Sequence, residues 1–407
     1  MSTRHRLVAG LVVCVIHLVA FVPAVDSWSS IVQNDFAPQA EAIESGELPY
    51  RDQEVEYPPL SIPVLTAPAW FGEGAEEFAT AFSWEMLAFD LGIVLVLALA
   101  LPGRPRDVVP ALTVYTVGLV MLSGAILDDS LIDIAPLALA RFDLVPALLV
   151  LAAVLARDAG RSATWSLLLS TGVAVKAFPL FLYPALLRGE QRLRRVAVAG
   201  SIPVLVCVAI VLGWGDEFGS AITYHTNREL QVESLGASFF EVAHLFGAEA
   251  SSAVGHGGFE VVAGGVDAVR WISVVVGGSL YVLVMYAGWR TPVSNMKLVT
   301  ALLAVLVVFA PVLSPQFLLW LLPISAAAFG FGRENLVLLA AVLFTQITLQ
   351  NYDQVDAFGE GFVWPLAGRN LYLLVYVWLV CAPIIRAWRE HVRDPAPAAV
   401  TQAARAA

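Results

Sequence analysis

The stretch Leu7–Val25, LVAGLVVCVIHLVAFVPAV, decides the fold class. It holds no Asp, Glu, Lys or Arg, and it is long enough to cross a bilayer as a helix. Arg4, His5 and Arg6 precede it, as they would in a signal peptide. No clear small-x-small cleavage site follows, and the region after it reads as a site rather than a mature terminus, so the run is taken as a retained first helix with its N-terminus in the cytoplasm. Further apolar runs lie at about 80–101, 108–126, 138–156, 196–214, 266–288, 297–313, 317–330, 335–350 and 369–386. At ~20 residues per crossing plus loops, the chain has room for about ten to twelve spans.

Composition agrees. The chain has 407 residues, 58% of them hydrophobic and 14% charged, with a mean hydropathy of +0.76. A typical soluble domain is about 25% charged. This excludes a water-soluble enzyme, a disordered chain and a DNA-binding domain. The net charge of -11 also argues against nucleic acid. Cys14, Cys207 and Cys381 are scattered through apolar runs, too far apart in sequence for a disulfide scaffold or a metal knuckle.

The segment 163–187 is apolar, with Arg157 and Arg161 before it and Arg188, Arg192, Arg194 and Arg195 after it. Both flanks read as cytoplasmic. The segment is too short to cross twice, so it predicts a broken hairpin that turns near Lys176. Counting the hairpin as two segments gives about twelve, with both termini inside. The cytoplasmic segments then hold 17 of 23 basic residues and 6 of 34 acidic ones, a clear positive-inside bias. The expected fold is all-α and polytopic, one domain over 1–393, some helices short or broken, with long outer-face loops. The tail 394–407 is Pro/Ala-rich and expected to be disordered.

The long connections, 26–79, 127–137, 215–265 and 351–368, all fall on the outer face, which suggests chemistry or recognition there. In the first, Asp35 opens a short amphipathic stretch that ends at Gly46, and it is a candidate either for a site or for a helix cap. Glu56-Tyr57-Pro58-Pro59-Leu60 is stiff, because Pro58 biases Tyr57 toward extended backbone. The apolar stretch Leu60–Phe71 is too short to span, so it packs at the interface or re-enters. Arg141 and Asp143 stand at the outer end of a span, either as an ion pair or as a cation held for an anionic ligand. Tyr224–Ser234, YHTNRELQVES, would place His225 and Arg228 on one face if helical. It supplies a candidate base, a phosphate-binding cation and several hydrogen-bonding groups, and a plain solvated helix is the alternative. The segment 351–368 reads as an ordered loop near the headgroups. Ser314-Pro315-Gln316-Phe317 breaks a span, and Gln316 there could hydrogen-bond a sugar or phosphate.

Taken in order, these motifs resemble the glycosyltransferase 87 family, multi-spanning enzymes of the GT-C class that use polyprenyl-phosphate sugars. The family includes an actinobacterial mannosyltransferase that extends phosphatidylinositol mannosides. The resemblance runs over most of the chain: Asp35 after the first span, G-x-x-P-Y (Gly46–Tyr50), E-Y-P-P-L (Glu56–Leu60), R-F-D-L (Arg141–Leu144), K-x-F-P-L-x-x-x-P (Lys176–Pro184), H-x-x-R-x-x-Q-x-E-S (His225–Ser234) and S-P-Q-F-x-x-W-x-x-P (Ser314–Pro323). The stretch from Ser251, SSAVGHGGFEVVA, has no counterpart among them.

The resemblance implies sugar transfer on the outer face of the plasma membrane, mannose first, from a polyprenyl-phosphate donor to a lipid or glycan acceptor. It maps the essential acid onto Asp35, the first choice for the base, with His225 as rival or partner. Arg228, Arg141 and Lys176 become candidates for the donor phosphate. Gln231, Glu233, Gln316, Tyr57 and Glu56 become further donor phosphate or sugar contacts. Lys176 would be costly at depth without an anion, and Asp143 is its alternative structural partner. No cofactor and no catalytic metal are expected. An arabinosyl or other pentosyl donor competes with mannosyl. A transporter or flippase of lipid-linked sugars and a non-catalytic scaffold are the rival classes.

Overall fold

The structure, a computed structural model, describes residues 3–27, 29, 31–53, 55–72, 74–101, 105–124, 136–214, 228–255 and 258–393. The expected disordered tail and most of the 127–137 connection lie outside the described residues. Along the chain run α1 (Thr3–Phe21), the short α2 (Ala37–Glu44) and α3 (Ser61–Thr66), then α4 (Ala75–Ala100), α5 (Pro105–Leu122), α6 (Leu144–Asp158) and α7 (Ser162–Val175). Next come α8 (Tyr183–Leu187), α9 (Leu193–Trp214), α10 (Ala237–Leu245) and a hairpin of β1 (Ala250–Gly255) and β2 (Gly258–Ala263). The chain ends with α11 (Val266–Arg290), α12 (Asn295–Val308), α13 (Leu318–Phe329), α14 (Arg333–Gln350) and α15 (Glu360–Arg393).

The class is all-α and membrane-embedded. Among the described residues 5 helical segments are long and apolar enough to cross a bilayer: Thr3–Ala24, Ala75–Ala100, Leu193–Gly213, Val266–Arg290 and Glu360–Arg393. Two of these bury little of themselves in the protein, 17% for α9 and 11% for α11. Val204, Leu205 and Leu212 on α9, and Ile272, Val275 and Val282 on α11, are exposed. Water does not tolerate apolar surface on that scale, whereas lipid does. Inside the bundle α1 is tied by a polar contact. His17 Nδ1 lies 2.5 Å from Asp90 Oδ2 on α4, and its Nε2 lies 2.8 Å from Thr116 Oγ1 on α5. Tyr115 donates to the second Asp90 oxygen at 2.7 Å, so this buried network is closed on itself.

The broken hairpin is present. α7 stops at Val175, Lys176 and Ala177 make the break, a 3-10 turn covers Phe178–Leu182, and α8 returns. Pro179 and Pro184 each fall in the first turn of a new helical piece, where a missing N–H costs nothing. Arg157 at the far end of α6 donates to Leu186 O at 2.7 Å. Arg188 donates to Gly288 O at 2.7 Å, and to Thr291 O and Val293 O, just where α11 ends. The basic ends of α6, α8 and α11 therefore meet at one pole. The start of α6, the end of α7 and the start of α11 are at the other.

Three expectations change. The segment 351–368 is not mainly loop: α15 begins at Glu360. Its Gly361 and Gly368 serve close packing, since a Cβ on Gly368 would sit 2.7 Å from the Phe344 ring. The stretch from Ser251 is a β-hairpin with Ala250 opposite Ala263 and Gly255 opposite Gly258. The described part of the Tyr224–Ser234 motif is not helical: Gln231 bridges to Glu260 of β2, and the chain then turns, with Ser234 N donating to Gln231 O at 2.9 Å.

Candidate functional site

At the pole opposite the basic ends lies a cavity of about 970 Å³. Its wall is assembled from seven separate stretches of chain. The first carries Asp35. Val32–Phe36 forms a π-turn, wider by one residue than an α-turn and frequent at functional sites. Ser29 opens it, accepting from Val32 N through its Oγ at 3.3 Å and from Gln33 N through its carbonyl at 2.9 Å. Phe36 is buried with its ring 5.5 Å from that of Phe82, which leaves the neighbouring Asp35 exposed on the cavity side. Asp35 lies inside the π-turn, whose N-cap is Ile31, and the helix after it is capped at Phe36, so the reading of Asp35 as a helix cap falls.

Tyr57, from E-Y-P-P-L, lines the same cavity beside Glu56. Tyr50, with its backbone at φ 68°, is buried and donates its hydroxyl to Tyr57 O at 2.6 Å. Leu60 N donates to Ala174 O at 2.9 Å, which fastens this stretch to the end of α7. The G-x-x-P-Y and E-Y-P-P-L motifs are thus one local unit.

Lys176, from the break in the hairpin, reaches Asp143 Oδ1 at 2.7 Å. Trp320 Nε1 donates to the same oxygen, also at 2.7 Å. The ammonium lies 4.7 Å from the Phe142 ring centre, 5.4 Å from Trp320 and 5.5 Å from Tyr57, a cation held among aromatic faces. Phe178 and Phe317 stack on Trp320, with ring centres 3.9 Å and 4.2 Å away. R-F-D-L therefore splits its charges. Asp143 pairs with Lys176 rather than with Arg141, and Arg141 stands at the cavity wall.

Arg228 and Gln231 enter from a strap, residues 228–234. The hairpin explains its course: Val232 N donates to Phe259 O at 3.0 Å and Val261 N to Leu230 O at 2.9 Å. Gln231 N donates to Pro311 O at 3.1 Å, which ties the strap to the stretch just before S-P-Q-F. Gln316 closes that side of the cavity.

The structure thus brings together Asp35, Glu56, Tyr57, Arg141, Lys176, Arg228, Gln231 and Gln316 around one space. Glu233 does not line it. It is buried behind Gln231, whose Nε2 donates to it at 2.7 Å. His225 lies outside the described residues. Arg270, near the start of α11, also lines the cavity and was not anticipated as a site residue. Its position one turn into the helix, ahead of a long apolar run, is the sequence signal for a cation at a helix mouth.

The electrostatics suit an anion. Among the described lining residues, Arg141, Lys176, Arg228 and Arg270 face the carboxylates Asp35 and Glu56. Partial desolvation at the cavity wall pushes the Asp35 carboxyl above the usual aspartate range; nearby Arg141 pulls it back, and Glu56 pushes it up again. Burial also raises Glu233, to about 7, against the pull of Arg369, Arg141 and Arg228. No family model matches the chain, and no curated protein matches it.

Proposed function

We propose that the protein is a polyprenyl-phosphate-sugar-dependent glycosyltransferase of the GT-C type, working on the outer face of the plasma membrane. Both termini lie in the cytoplasm, and about ten to twelve segments cross or enter the bilayer. The observation that carries this reading is the convergence. Residues from six motifs, spread from position 35 to position 316, line one cavity that is rich in cations.

The chemistry follows from the donor. Its anomeric carbon is joined to a phosphate, so the leaving group is already good. The protein must take a proton from an acceptor hydroxyl, aim that oxygen at the anomeric carbon, and hold the phosphate as charge grows on it. Asp35 takes the proton. Arg228 and Arg141 hold the phosphate through two-pronged hydrogen bonds. Lys176 adds a positive potential while tied to Asp143. Gln231, Gln316, Tyr57 and Glu56 contact the sugar and phosphate. Mannose is the first sugar to test and a pentose the second.

Two outcomes check parts of this. Cysteines placed at the exposed positions Glu47 and Glu249 are expected to react with an impermeant reagent in intact cells, and one at Gln191 to stay unlabelled. Labelling at Gln191 from outside would overturn the orientation. Arg228→Glu is expected to abolish donor binding and turnover while the protein still reaches the membrane. Arg228→Lys should recover little if the guanidinium fork is used. Wild-type turnover in Arg228→Glu would remove it from the site.

The experiment that tests the function is transfer of labelled sugar. Membranes carrying the protein are given mannosyl or pentosyl polyprenyl-phosphate, and endogenous lipids are examined for label.

A further inference from the structure

Arg369, on the first turns of α15, is fully buried and does not line the cavity. A guanidinium is rarely hidden in a membrane protein without a task. Its Nη2 donates to the backbone carbonyl of Glu233. Its Nε and Nη2 also reach Asn370 Oδ1, at 3.1 Å and 3.0 Å. Asn370 in turn donates to Ser234 O at 3.2 Å and to Ser238 Oγ at 2.7 Å. Two consecutive residues of one helix therefore grip two consecutive carbonyls of the strap. The strap is held by the hairpin along one edge and by Pro311 O at Gln231; α15 supplies a further attachment.

We propose that Arg369 is a positioning residue of the cavity: it pins the strap, and so sets where Arg228 and Gln231 stand. The proposal rests on the cavity being the binding site, but its own test does not. The competing role is charge balance. Glu233 and Glu241 are both buried close enough to feel Arg369, and neither Glu241 oxygen has a hydrogen-bond partner among the described residues. Burial holds Glu241 well above the usual carboxylate range, which leaves Glu233 as the charge to be balanced. A balancing cation matters only while that carboxylate is ionised. A pin matters whatever the charge.

The test is hydrogen exchange on the full chain in lipid nanodiscs, above neutral pH, read at the amides of Gln231, Val232 and Ser234. Arg369→Gln is expected to speed exchange at these three amides about tenfold or more, the worth of a lost hydrogen bond from a charged donor. Adding Glu233→Gln removes the unbalanced charge and keeps an acceptor for Gln231. It is expected to raise the unfolding temperature back toward that of the wild type while strap exchange stays fast. Arg369→Lys keeps the charge but cannot span both acceptors, so it too is expected to loosen the strap, and it serves if the glutamine variant does not fold. Wild-type exchange in Arg369→Lys or Arg369→Gln would overturn the proposal. So would a double variant in which stability and strap exchange recover together. In the transfer assay a loosened strap should raise the donor KM more than it lowers kcat. Absence of transfer in the wild type would count against the enzyme reading and leave the exchange result standing.

Discussion

Asp35→Asn is expected to lower the rate of sugar transfer by roughly 10²–10⁴, the usual worth of a positioned general base. The change keeps size and hydrogen bonding but removes the proton acceptor. Local folding should survive it, because Ser29 rather than Asp35 serves the free N–H groups of this turn. Donor binding should hardly change, since the phosphate contacts are on other elements. The pH profile gives a second check. A base works only when deprotonated, so activity should fall as pH drops through the folded pKa of Asp35. Partial desolvation raises that pKa, and the acid limb should therefore lie above the ordinary aspartate range. Arg141→Gln removes a lowering influence and should move the limb further up; Glu56→Gln removes a raising one and should move it down. A near-normal rate for Asp35→Asn, with collapse in His225→Ala, would transfer the role to His225.

Asp143→Ala is expected to destabilise the protein by about 3–5 kcal/mol, the cost of stranding one partner of a buried pair. Asp143 is 1% exposed and Lys176 12%, and the lost oxygen also serves Trp320 Nε1. The aromatic rings around the ammonium offset part of the loss. Asp143→Asn, which keeps an acceptor, should cost less. Replacing both residues by apolar ones, Asp143→Leu with Lys176→Met, should recover most of the stability but not the transfer activity. Thermal unfolding in nanodiscs reads the first effect and the labelled-sugar assay the second. Wild-type stability in Asp143→Ala would show that the pair does not hold the site.

The helical body was largely legible in the sequence because its signals are one-dimensional. Arginines on both sides of 163–187 required a hairpin too short to cross twice, and it breaks at Lys176 as expected. Ser314-Pro315 required a break, and α12 and α13 flank it. Where a residue type has two uses, the reading failed. Glycine and proline in 351–368 suggested a loop, but Gly361 and Gly368 are there to let α15 pack closely, and Pro365 is tolerated within the helix. In YHTNRELQVES the spacing allowed a helix, whereas the described part bridges to β2 at Gln231 and then turns. That hairpin had a usable signal, two short runs on either side of the glycine-rich sequence GHGG. The convergence of the candidate site was not legible from spacing. Which carboxylate takes Lys176, and whether Arg141 faces the cavity, depend on how α6, α7 and α13 meet in space.

The most direct measurement is transfer by the purified protein in liposomes, with labelled mannosyl polyprenyl-phosphate and a lipid extract as acceptor. The expected result is label on a lipid or glycan acceptor, with polyprenyl phosphate released in equal amount, and with both lost in Asp35→Asn. Donor that crosses the bilayer intact while no acceptor gains label, with mannosyl and pentosyl donors alike, would contradict the enzyme reading and favour a flippase.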